Sequence, residues 1–168
     1  MIRFPIETER LLLRPFTPDD AEALHAIWGD PAARRFGGDW PGPETVADTE
    51  RYLEPILAGQ AERGYASWAV VERETGRLIG DCGLFLADGV GPDVELAYGL
   101  AADVWGRGYA TEAAAACVRA GFEQLGLERI VADVDPGNAA SARVLEKVGM
   151  RPIGRKNDTQ LLYAVTRG

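Results

Sequence analysis

One stretch of the sequence constrains the fold more than any other: a strand, a glycine-rich loop and a long helix follow one another directly. Residues 94–100 (VELAYGL) are mostly apolar and predict a strand. Small and apolar side chains then recur from Ala110 to Leu125 at the three- and four-residue spacing of one helix face, and Gly126 ends the pattern. A strand that passes through a tight loop into a long helix is typical of a mixed α/β domain.

Further strands and helices are predicted on both sides of this unit. The predicted strands cover residues 8–16, 66–72, 77–86, 129–134, 151–155 and 161–165, and the predicted helices begin near Thr17, Pro43 and Asn138. Pro55 lies inside the second helix and predicts a kink or a break there. The order βααβββαβαββ predicts a single domain over residues 1–168, with a mixed central sheet flanked by helices.

The composition narrows the class of protein. Hydrophobic residues make up 46% and charged residues 26% of the chain, so it is not expected to be disordered. The net charge of −8 disfavours general binding to nucleic acid, whose phosphates attract basic proteins. No stretch approaches the length of a membrane span or resembles a signal peptide, which favours a cytoplasmic protein without a membrane partner.

The cysteines and the single histidine limit the chemistry. Cys82 and Cys117 form no Cys-x-x-Cys motif, and we interpret them as reduced, buried thiols rather than as a disulfide. His25 is the only histidine, which excludes a metal site with two histidine ligands, and no metal is expected. A catalytic triad would have to use His25, which fits better as a residue on the face of the first helix.

The loop before the long helix contains Gly106 and Gly108. The first turn of a helix has unpaired N–H groups and the positive end of the helix dipole, and glycines let an anion approach the backbone closely. Arg107 adds a positive charge and Thr111 adds a hydroxyl group. These features predict a phosphate-binding site, although an ordinary strand-to-helix turn can contain the same glycines.

Two other classes of phosphate-binding protein share part of this pattern. The spacing Gly106-x-Gly108-x-x-Thr111 is close to the dinucleotide fingerprint of dehydrogenases. That fingerprint belongs near the first strand of a larger, doubly wound fold, whereas this loop lies two-thirds of the way along a short chain. A P-loop is excluded, because the loop lacks the Gly-Lys-Ser/Thr ending.

Four separate motifs, in this order, resemble those of the GNAT acetyltransferase superfamily. They are ELAYGL at residues 95–100, WGRGYATEA at 105–113, NAAS at 138–141 and LEKVGM at 145–150. The opening TERLLLR at residues 8–14 is similar to that of the RimJ/RimL-like branch, whose founding members acetylate the N-termini of ribosomal proteins. The resemblance covers nearly the whole chain and implies an acyl-CoA N-acyltransferase fold with a V-shaped cofactor cleft.

The resemblance also implies where acetyl-CoA would bind. The cofactor would lie between the strand that ends at Leu100 and the strand 129–134, with its pantetheine arm added like a further strand. The pantetheine would pair with the backbone of Tyr98, Gly99 and Leu100, and the pyrophosphate would accept hydrogen bonds from the amides of Arg107, Gly108, Tyr109, Ala110 and Thr111. Trp105 stands where the family usually has Gln or Arg, a difference that leaves these backbone donors unchanged.

Two residues of the third motif have implied roles at the thioester end of the cofactor. Asn138 would reach the pantetheine, although it also fits as the cap of the following helix. Ser141 would lie near the thioester sulfur, where a hydroxyl group can help to protonate the leaving thiol. Its alternative interpretation is an ordinary residue of the first helical turn.

The implied reaction is direct attack of a neutral amine on the thioester. A peptide α-amine has a pKa of about 8, so about a tenth of it is neutral at pH 7. Its deprotonation therefore needs only modest help from a base. Glu95 is the candidate base, because a carboxylate in an apolar strand is costly unless it faces a cleft or a partner. The alternatives are a surface arginine paired with Glu95 and a water chain as proton acceptor. Tyr98 is an alternative acid.

The sequence gives fewer signals for the site that binds the amine acceptor. Residues 36–40 (FGGDW) contain two aromatics and Asp39, which could form a wall of the amine site, but an ordinary helix connection has the same composition. We expect an acetyl-CoA-dependent N-acetyltransferase that acts on a protein N-terminus or a small amine, as a monomer or homodimer. The alternative is a non-catalytic acyl-CoA-binding module, since the pyrophosphate site is better marked than the base.

Overall fold

The structure is a computed structural model that describes residues 1–36 and 40–168. Within these ranges, eight strands form one sheet. The strands are β1 (Ile6–Glu7), β2 (Leu11–Pro15), β3 (Ser67–Glu72), β4 (Leu78–Leu86), β5 (Val94–Leu100), β6 (Arg129–Val134), β7 (Arg151–Arg155) and β8 (Leu161–Thr166). The helices are α1 (Ala21–Trp28), α2 (Pro31–Arg34), α3 (Val46–Arg63), α4 (Tyr109–Gln124) and α5 (Ala139–Lys147).

The sheet has the order β1-β2-β3-β4-β5-β6-β8-β7, and its neighbours are antiparallel except at the centre, where β5 and β6 run parallel. These two strands are paired only where Val94 lies opposite Ile130 and Glu95 opposite Val131. Farther along, β5 stays on β4 and β6 stays on β8, so the two strands separate and leave a V-shaped opening. The mixed sheet with flanking helices confirms the predicted fold class.

Helices pack against both faces of this sheet. Neighbouring residues of a strand point to opposite faces, and two residues of β4 show what covers each face. Asp81 accepts a hydrogen bond of 2.9 Å from Trp28 Nε1 of α1, while Cys82 Sγ lies 3.3 Å from Cys117 Sγ of α4. Both cysteines are free and buried, as the sequence predicts.

The packing of α4 depends on its small residues. Ala113, Ala114 and Cys117 are completely buried on the face that contacts β4 and β5. A Cβ atom at Gly121 would come within 2.8 Å of Ile130 Cδ1, so even alanine there would require the Ile130 side chain to shift. Small side chains therefore let α4 lie close to β5, with its first turn beside the opening.

Polar side chains begin the helices close to the predicted positions. Thr45 Oγ1 accepts a hydrogen bond from the amide of Asp48, whose carboxylate bonds back to the Thr45 amide, so α3 begins at Val46 rather than at Pro43. The predicted break at Pro55 does not occur. Pro55 is exposed, so water can bond to the carbonyl group that a proline leaves unpaired inside a helix.

Three elements differ from the sequence prediction. The strand predicted over residues 8–16 is shorter, Leu11–Pro15 (β2), because the amide of Thr8 donates to the carbonyl of Leu11 at 2.9 Å and turns the chain; β1 (Ile6–Glu7), on the other side of this turn, was not predicted. The short helix α2 was missed, since four residues are too few to show a helical repeat. Its start is marked by Asp30, whose Oδ1 accepts from the amide of Ala32 at 2.9 Å.

Candidate functional site

A cavity of about 170 Å³ lies where β5 and β6 separate. The polar side chains that line it come from β5, β6 and the start of α5, and they include Glu95, Tyr98, Asp133, Asn138 and Ser141. Four of these five are residues to which the sequence analysis assigns a role, and Asp133 is the addition. The cavity therefore collects titratable and hydrogen-bonding groups in one place, at the vertex of the opening.

The backbone of β5 faces the opening only at alternate residues. The amide of Ala101 donates to the carbonyl of Ile79 at 2.8 Å, which identifies the residues of β5 whose backbone bonds to β4. Because these residues alternate in an antiparallel pair, they are Glu95, Ala97 and Gly99. The backbone N–H and C=O groups of Gly99 are thus engaged by β4, and this residue offers the opening no hydrogen bond of its own.

The other residues of β5 point their backbone groups away from β4. These are Leu96, Tyr98 and Leu100, beyond the last residues that pair with β6. Trp105 Nε1 donates to the carbonyl of Leu100 at 2.8 Å, which agrees with this direction. The opening therefore has one wall that is a free strand edge.

The glycine loop leads directly into the first turn of α4. Gly106 has φ of +76° and Gly108 has φ of +81°, in the left-handed region that favours glycine. Within the described residues, no acceptor pairs with the backbone amides of residues 106–111, and the first amide of this helix to be paired is that of Glu112. The loop thus presents several free N–H groups at the positive end of a helix.

Arg10 and Glu112 hold this loop in place. Arg10 Nη1 donates to the carbonyl of Arg107 at 2.8 Å, and Glu112 accepts from the amide and from Nε of Arg10, at 2.8 and 2.7 Å. Thr8 Oγ1 also donates to Glu112, at 2.6 Å. Because C=O and N–H of a trans peptide point in opposite directions, the bond to Arg107 turns the amide of Gly108 away from Arg10 and toward solvent.

A hydroxyl group from β5 and one from the first turn of α5 meet at the cavity. Tyr98 Oη lies 2.8 Å from Ser141 Oγ and also donates to the carbonyl of Ser141 at 3.1 Å. Asn138 Oδ1 accepts from the amide of Ser141 at 3.1 Å, so Asn138 is the cap of α5. Burial raises the pKa of Tyr98 above its ordinary value, although the hydrogen bond with Ser141 acts in the other direction, and Tyr98 stays a hydroxyl donor.

Glu95 lies at the vertex with only 10% of its side chain exposed. Its partner is Lys156 Nζ, at 3.5 Å, rather than the surface arginine that the sequence left open. Burial, followed by the negative charge of Asp133, raises the pKa of Glu95 to about 7, against the attraction of Lys156. A carboxyl group with this pKa can both accept and release a proton near neutral pH.

Other residues singled out from the sequence lie outside this cluster or only at its border. His25 Nδ1 is 3.1 Å from Thr49 Oγ1, between α1 and α3, and does not line the cavity. Phe36 does line it. Trp40 instead packs edge-on against Trp28. The rest of the predicted acceptor wall, residues 37–39 with Asp39, lies outside the described residues.

Sequence reasoning missed Asp133, Lys156 and Gln160. Lys156 Nζ is 2.6 Å from Asp133 Oδ2, and Gln160 Nε2 donates to Asp133 Oδ1 at 3.1 Å. Asp133 carries a signal that was available, because it interrupts the apolar strand RIVADV in the way that Glu95 interrupts VELAYGL. Lys156 and Gln160 lie in a polar turn and carry no such signal.

Comparison with known proteins decides the family. The family model described as "Acetyltransferase (GNAT) domain" matches residues 10–151. The chain belongs to the GNAT acetyltransferase family. It is therefore an acetyltransferase. The comparisons support this class rather than a dehydrogenase or a binding module without activity. GNAT acetyltransferases use acetyl-CoA as the acetyl donor.

Individual relatives agree with this assignment. An N-acetyltransferase of Bacillus subtilis strain 168, YoaA, is 34% identical over 152 residues, which are 90% of this chain and 85% of the relative. The N-acetyltransferase p20 of Bacillus licheniformis is 32% identical over 155 residues, 90% of this chain and 84% of the relative. The crystal structure of an acetyltransferase from Agrobacterium tumefaciens strain C58 superposes with a TM-score of 0.81 at 32% identity, over 96% of this chain and 93% of the other.

The helices and the potential metal-binding side chains of the described residues bear on the membrane and metal expectations. None of the helices in residues 1–36 and 40–168 combines the length and the apolar composition needed to cross a membrane. Over the same ranges, His, Cys, Asp and Glu side chains form no group of three or more that could hold a metal ion.

Proposed function

We propose that this GNAT enzyme transfers the acetyl group from acetyl-CoA to a primary amine by direct attack of the amine on the thioester. The observation that carries the proposal is the combination of three features around one opening. A free strand edge forms one wall, unpaired helix amides lie at one end, and a buried carboxyl group with a pKa of about 7 lies at the vertex. The proposal includes a single catalytic domain over residues 1–168.

In this proposal, the amides of Arg107, Gly108, Tyr109, Ala110 and Thr111 bind the pyrophosphate of acetyl-CoA. The fit is supported by their lack of other partners within the described residues and by the positive φ angles of the glycines. The pantetheine arm pairs with the free backbone groups of Tyr98 and with the amide of Leu100, whose carbonyl already accepts from Trp105 Nε1, while Gly99 contributes only space. Asn138 borders the arm near the thioester.

Glu95 accepts the proton of the attacking amine in this mechanism, and the hydroxyl pair of Tyr98 and Ser141 protonates the leaving thiol. The thiol has a pKa near 8.5, so it leaves more readily with a proton. Of the two hydroxyls, Tyr98 is held by two hydrogen bonds and Ser141 lies at the first turn of α5. Ser141 donates its proton to the leaving thiol, Tyr98 replaces that proton through its hydrogen bond with Ser141 Oγ, and solvent restores the proton of Tyr98.

We propose a protein N-terminal α-amine as the first acceptor to test, with small amines second. An α-amine with a pKa of about 8 needs a weaker base than a lysine side chain with a pKa near 10.4, and a carboxylate that titrates near 7 suits the weaker demand. The opening TERLLLR motif, typical of the RimJ/RimL-like branch, supports the same class. Two free, buried thiols also favour action in the reducing cytoplasm.

The test is release of free thiol from acetyl-CoA in the presence of peptides with different N-terminal residues and of a panel of small amines. Turnover with an acceptor, and an acetylated α-amine in the product by mass spectrometry, are expected. Calorimetric binding of CoA without turnover across both panels would contradict the proposal and favour a binding module.

The hydroxyl pair leads to a separate prediction. We expect Tyr98→Phe and Ser141→Ala each to lower kcat by about tenfold, because the leaving thiol loses its proton donor. Since the two groups act as one relay, the double variant is expected to be no slower than the slower single variant. Tyr65→Phe is the matched control, as its ring is also half-buried but does not line the cavity. Strictly multiplicative losses would argue against the relay.

A further inference from the structure

We propose that Lys156 is a positioning residue whose positive charge holds Glu95 and Asp133 together at the vertex and keeps Glu95 available as a base. The inference rests on the proposed role of Glu95, and it assigns a function to a residue that contacts no reacting atom. Lys156 follows β7, at the start of the turn that leads into β8.

The geometry places one ammonium group among three carboxylates. Lys156 Nζ lies 2.6 Å from Asp133 Oδ2, 3.2 Å from Asp88 Oδ1 and 3.5 Å from Glu95 Oε2. The three acids come from three elements: β6, the β4–β5 connection and β5. Lys156 therefore ties the turn after β7 to both strands that border the opening.

The turn itself is held so that the ammonium group has little freedom. The amide of Lys156 donates to the carbonyl of Gln160 at 3.0 Å, and Gln160 Nε2 donates to Asp133 Oδ1 at 3.1 Å. Asp133 thus bonds to the ammonium through one oxygen and to an amide through the other. Only 23% of the Lys156 side chain is exposed, so solvent screens the charge weakly.

Electrostatics explains why the charge matters to Glu95. Glu95 and Asp133 are two carboxyl groups that face one cavity, and like charges at short range resist joint ionisation. Lys156 offsets this repulsion, and it is the cation that attracts the Glu95 carboxylate. Asp88 acts on Glu95 through Lys156, and Asp135 borders the same cavity.

Lys156 serves as a charge and not as an acetyl acceptor. Burial alone would lower its pKa, but the hydrogen bond to Asp133 and the charges of Glu95 and Asp133 hold the pKa of Lys156 above its ordinary value. Its amine therefore stays protonated and cannot attack a thioester at neutral pH. Acetylation of Lys156 during turnover, detected by mass spectrometry, would overturn this assignment.

The chain supplies a matched control, because it contains only two lysines, Lys147 and Lys156. Lys147 is exposed at the end of α5 and makes no ion pair within the described residues. Lys156→Met and Lys147→Met remove the same charge from the same type of side chain, at a half-buried and at an exposed site. Lys156→Arg retains the charge and tests the geometry of the ammonium site.

The first readout does not depend on catalysis. The side-chain carboxyl carbons of ¹³C-labelled glutamate are titrated by NMR, and the Glu95 resonance is assigned by its loss in Glu95→Gln. We expect Lys156→Met to raise the titration midpoint of Glu95 by about one pH unit or more, since an opposite charge at this range shifts a carboxyl pKa by about that amount. Lys147→Met should leave the Glu95 midpoint unchanged. Lys156→Arg retains the positive charge, so its Glu95 midpoint should stay close to that of the unaltered protein. An unchanged midpoint in a folded Lys156→Met variant would overturn the inference.

The second readout links the charge to the reaction. The acidic limb of the kcat/KM profile should move to higher pH in Lys156→Met by the same amount as the NMR midpoint. If the midpoint moves and the limb does not, the coupling between Lys156 and Glu95 stands and Glu95 is not the base. Lys156→Gln, a polar substitution, provides the same comparison should the methionine variant fail to fold.

Discussion

We expect Glu95→Gln to lower kcat by roughly 10²- to 10⁴-fold, the range that a positioned general base contributes. Glutamine has nearly the same shape and keeps an oxygen that can accept from Lys156, so the loss reports the missing proton acceptor more than altered packing. The measurement is thiol release at saturating acetyl-CoA and acceptor, with thermal unfolding to show that the variant is folded. Retention of full turnover would exclude Glu95 as the base and favour a water chain.

The direction in which activity changes with pH is a second test of Glu95 as the base. Glu95 acts as a base only when ionised, and its pKa of about 7 means that activity rises as the pH increases through that value. The Gln variant should lose this limb and retain only the titration of the amine itself. Because both enzymes use the same amine, the difference between the two profiles reports Glu95.

The variant Asp133→Asn tests how the charge of Asp133 affects the titration of Glu95. Asp133 raises the pKa of Glu95, so its removal should move the acidic limb to lower pH, opposite to the effect of removing Lys156. Glu123→Gln, an exposed glutamate of α4, controls for loss of one negative charge from the surface. A shift in the same direction in Asp133→Asn and Lys156→Met would contradict the electrostatic account.

The second large effect is expected at the glycine loop. Gly108→Ala places a Cβ on a residue with φ of +81°, 3.4 Å from Arg10 Nη2 and beside the free amides of α4. Loss or displacement of one hydrogen bond to a charged group costs about 1.5–3 kcal/mol, so the KM for acetyl-CoA should rise roughly 10- to 100-fold. The kcat at saturating donor should change little, because Gly108 does not line the cavity that contains Glu95.

Gly126→Ala is the matched control for backbone strain. Gly126 has φ of +70° and no atom within 4 Å of a built Cβ, so alanine there adds the same left-handed strain without touching the loop. Both variants should lose about 1 kcal/mol of unfolding free energy, and only Gly108→Ala should weaken binding of acetyl-CoA. Equal KM values in the two variants would show that the loop does not bind the pyrophosphate.

Features that depend on neighbouring residues were predicted well from the sequence. The strand β5, the glycine loop and α4 follow from residues 94–125 alone, since a repeat, two glycines and a cap are all local signals. Asn138 was predicted both as a cap and as a site residue; the structure shows the cap, and the cofactor role stays a prediction. Glu95 was singled out by a local pattern, a carboxylate in an apolar strand, whereas the expectation that Ser141 lies at the same site followed from the family resemblance; both residues line the cavity.

The parts that could not be predicted are contacts between distant residues. Lys156 meets Asp133 across 23 positions and Glu95 across 61, and no repeat or propensity reports such a meeting. The turn between β1 and β2 likewise brings Thr8 and Arg10 into hydrogen bonds with Glu112. These contacts span 104 and 102 positions of the sequence. Both sets of contacts lie at the proposed site, so the sequence indicated which strand carries the candidate base but not which residues shift its pKa.

The alternation of backbone groups along β5 gives the opening a length scale. From Leu100, next to the loop, to Glu95 at the vertex is five residues, or about 17 Å of extended strand. Only every second residue offers its amide and carbonyl, so a partner that pairs with this edge must repeat its own polar groups at about 7 Å. In the proposed mechanism, this spacing sets the distance between the phosphate end of acetyl-CoA and the carbon that reacts beside Glu95.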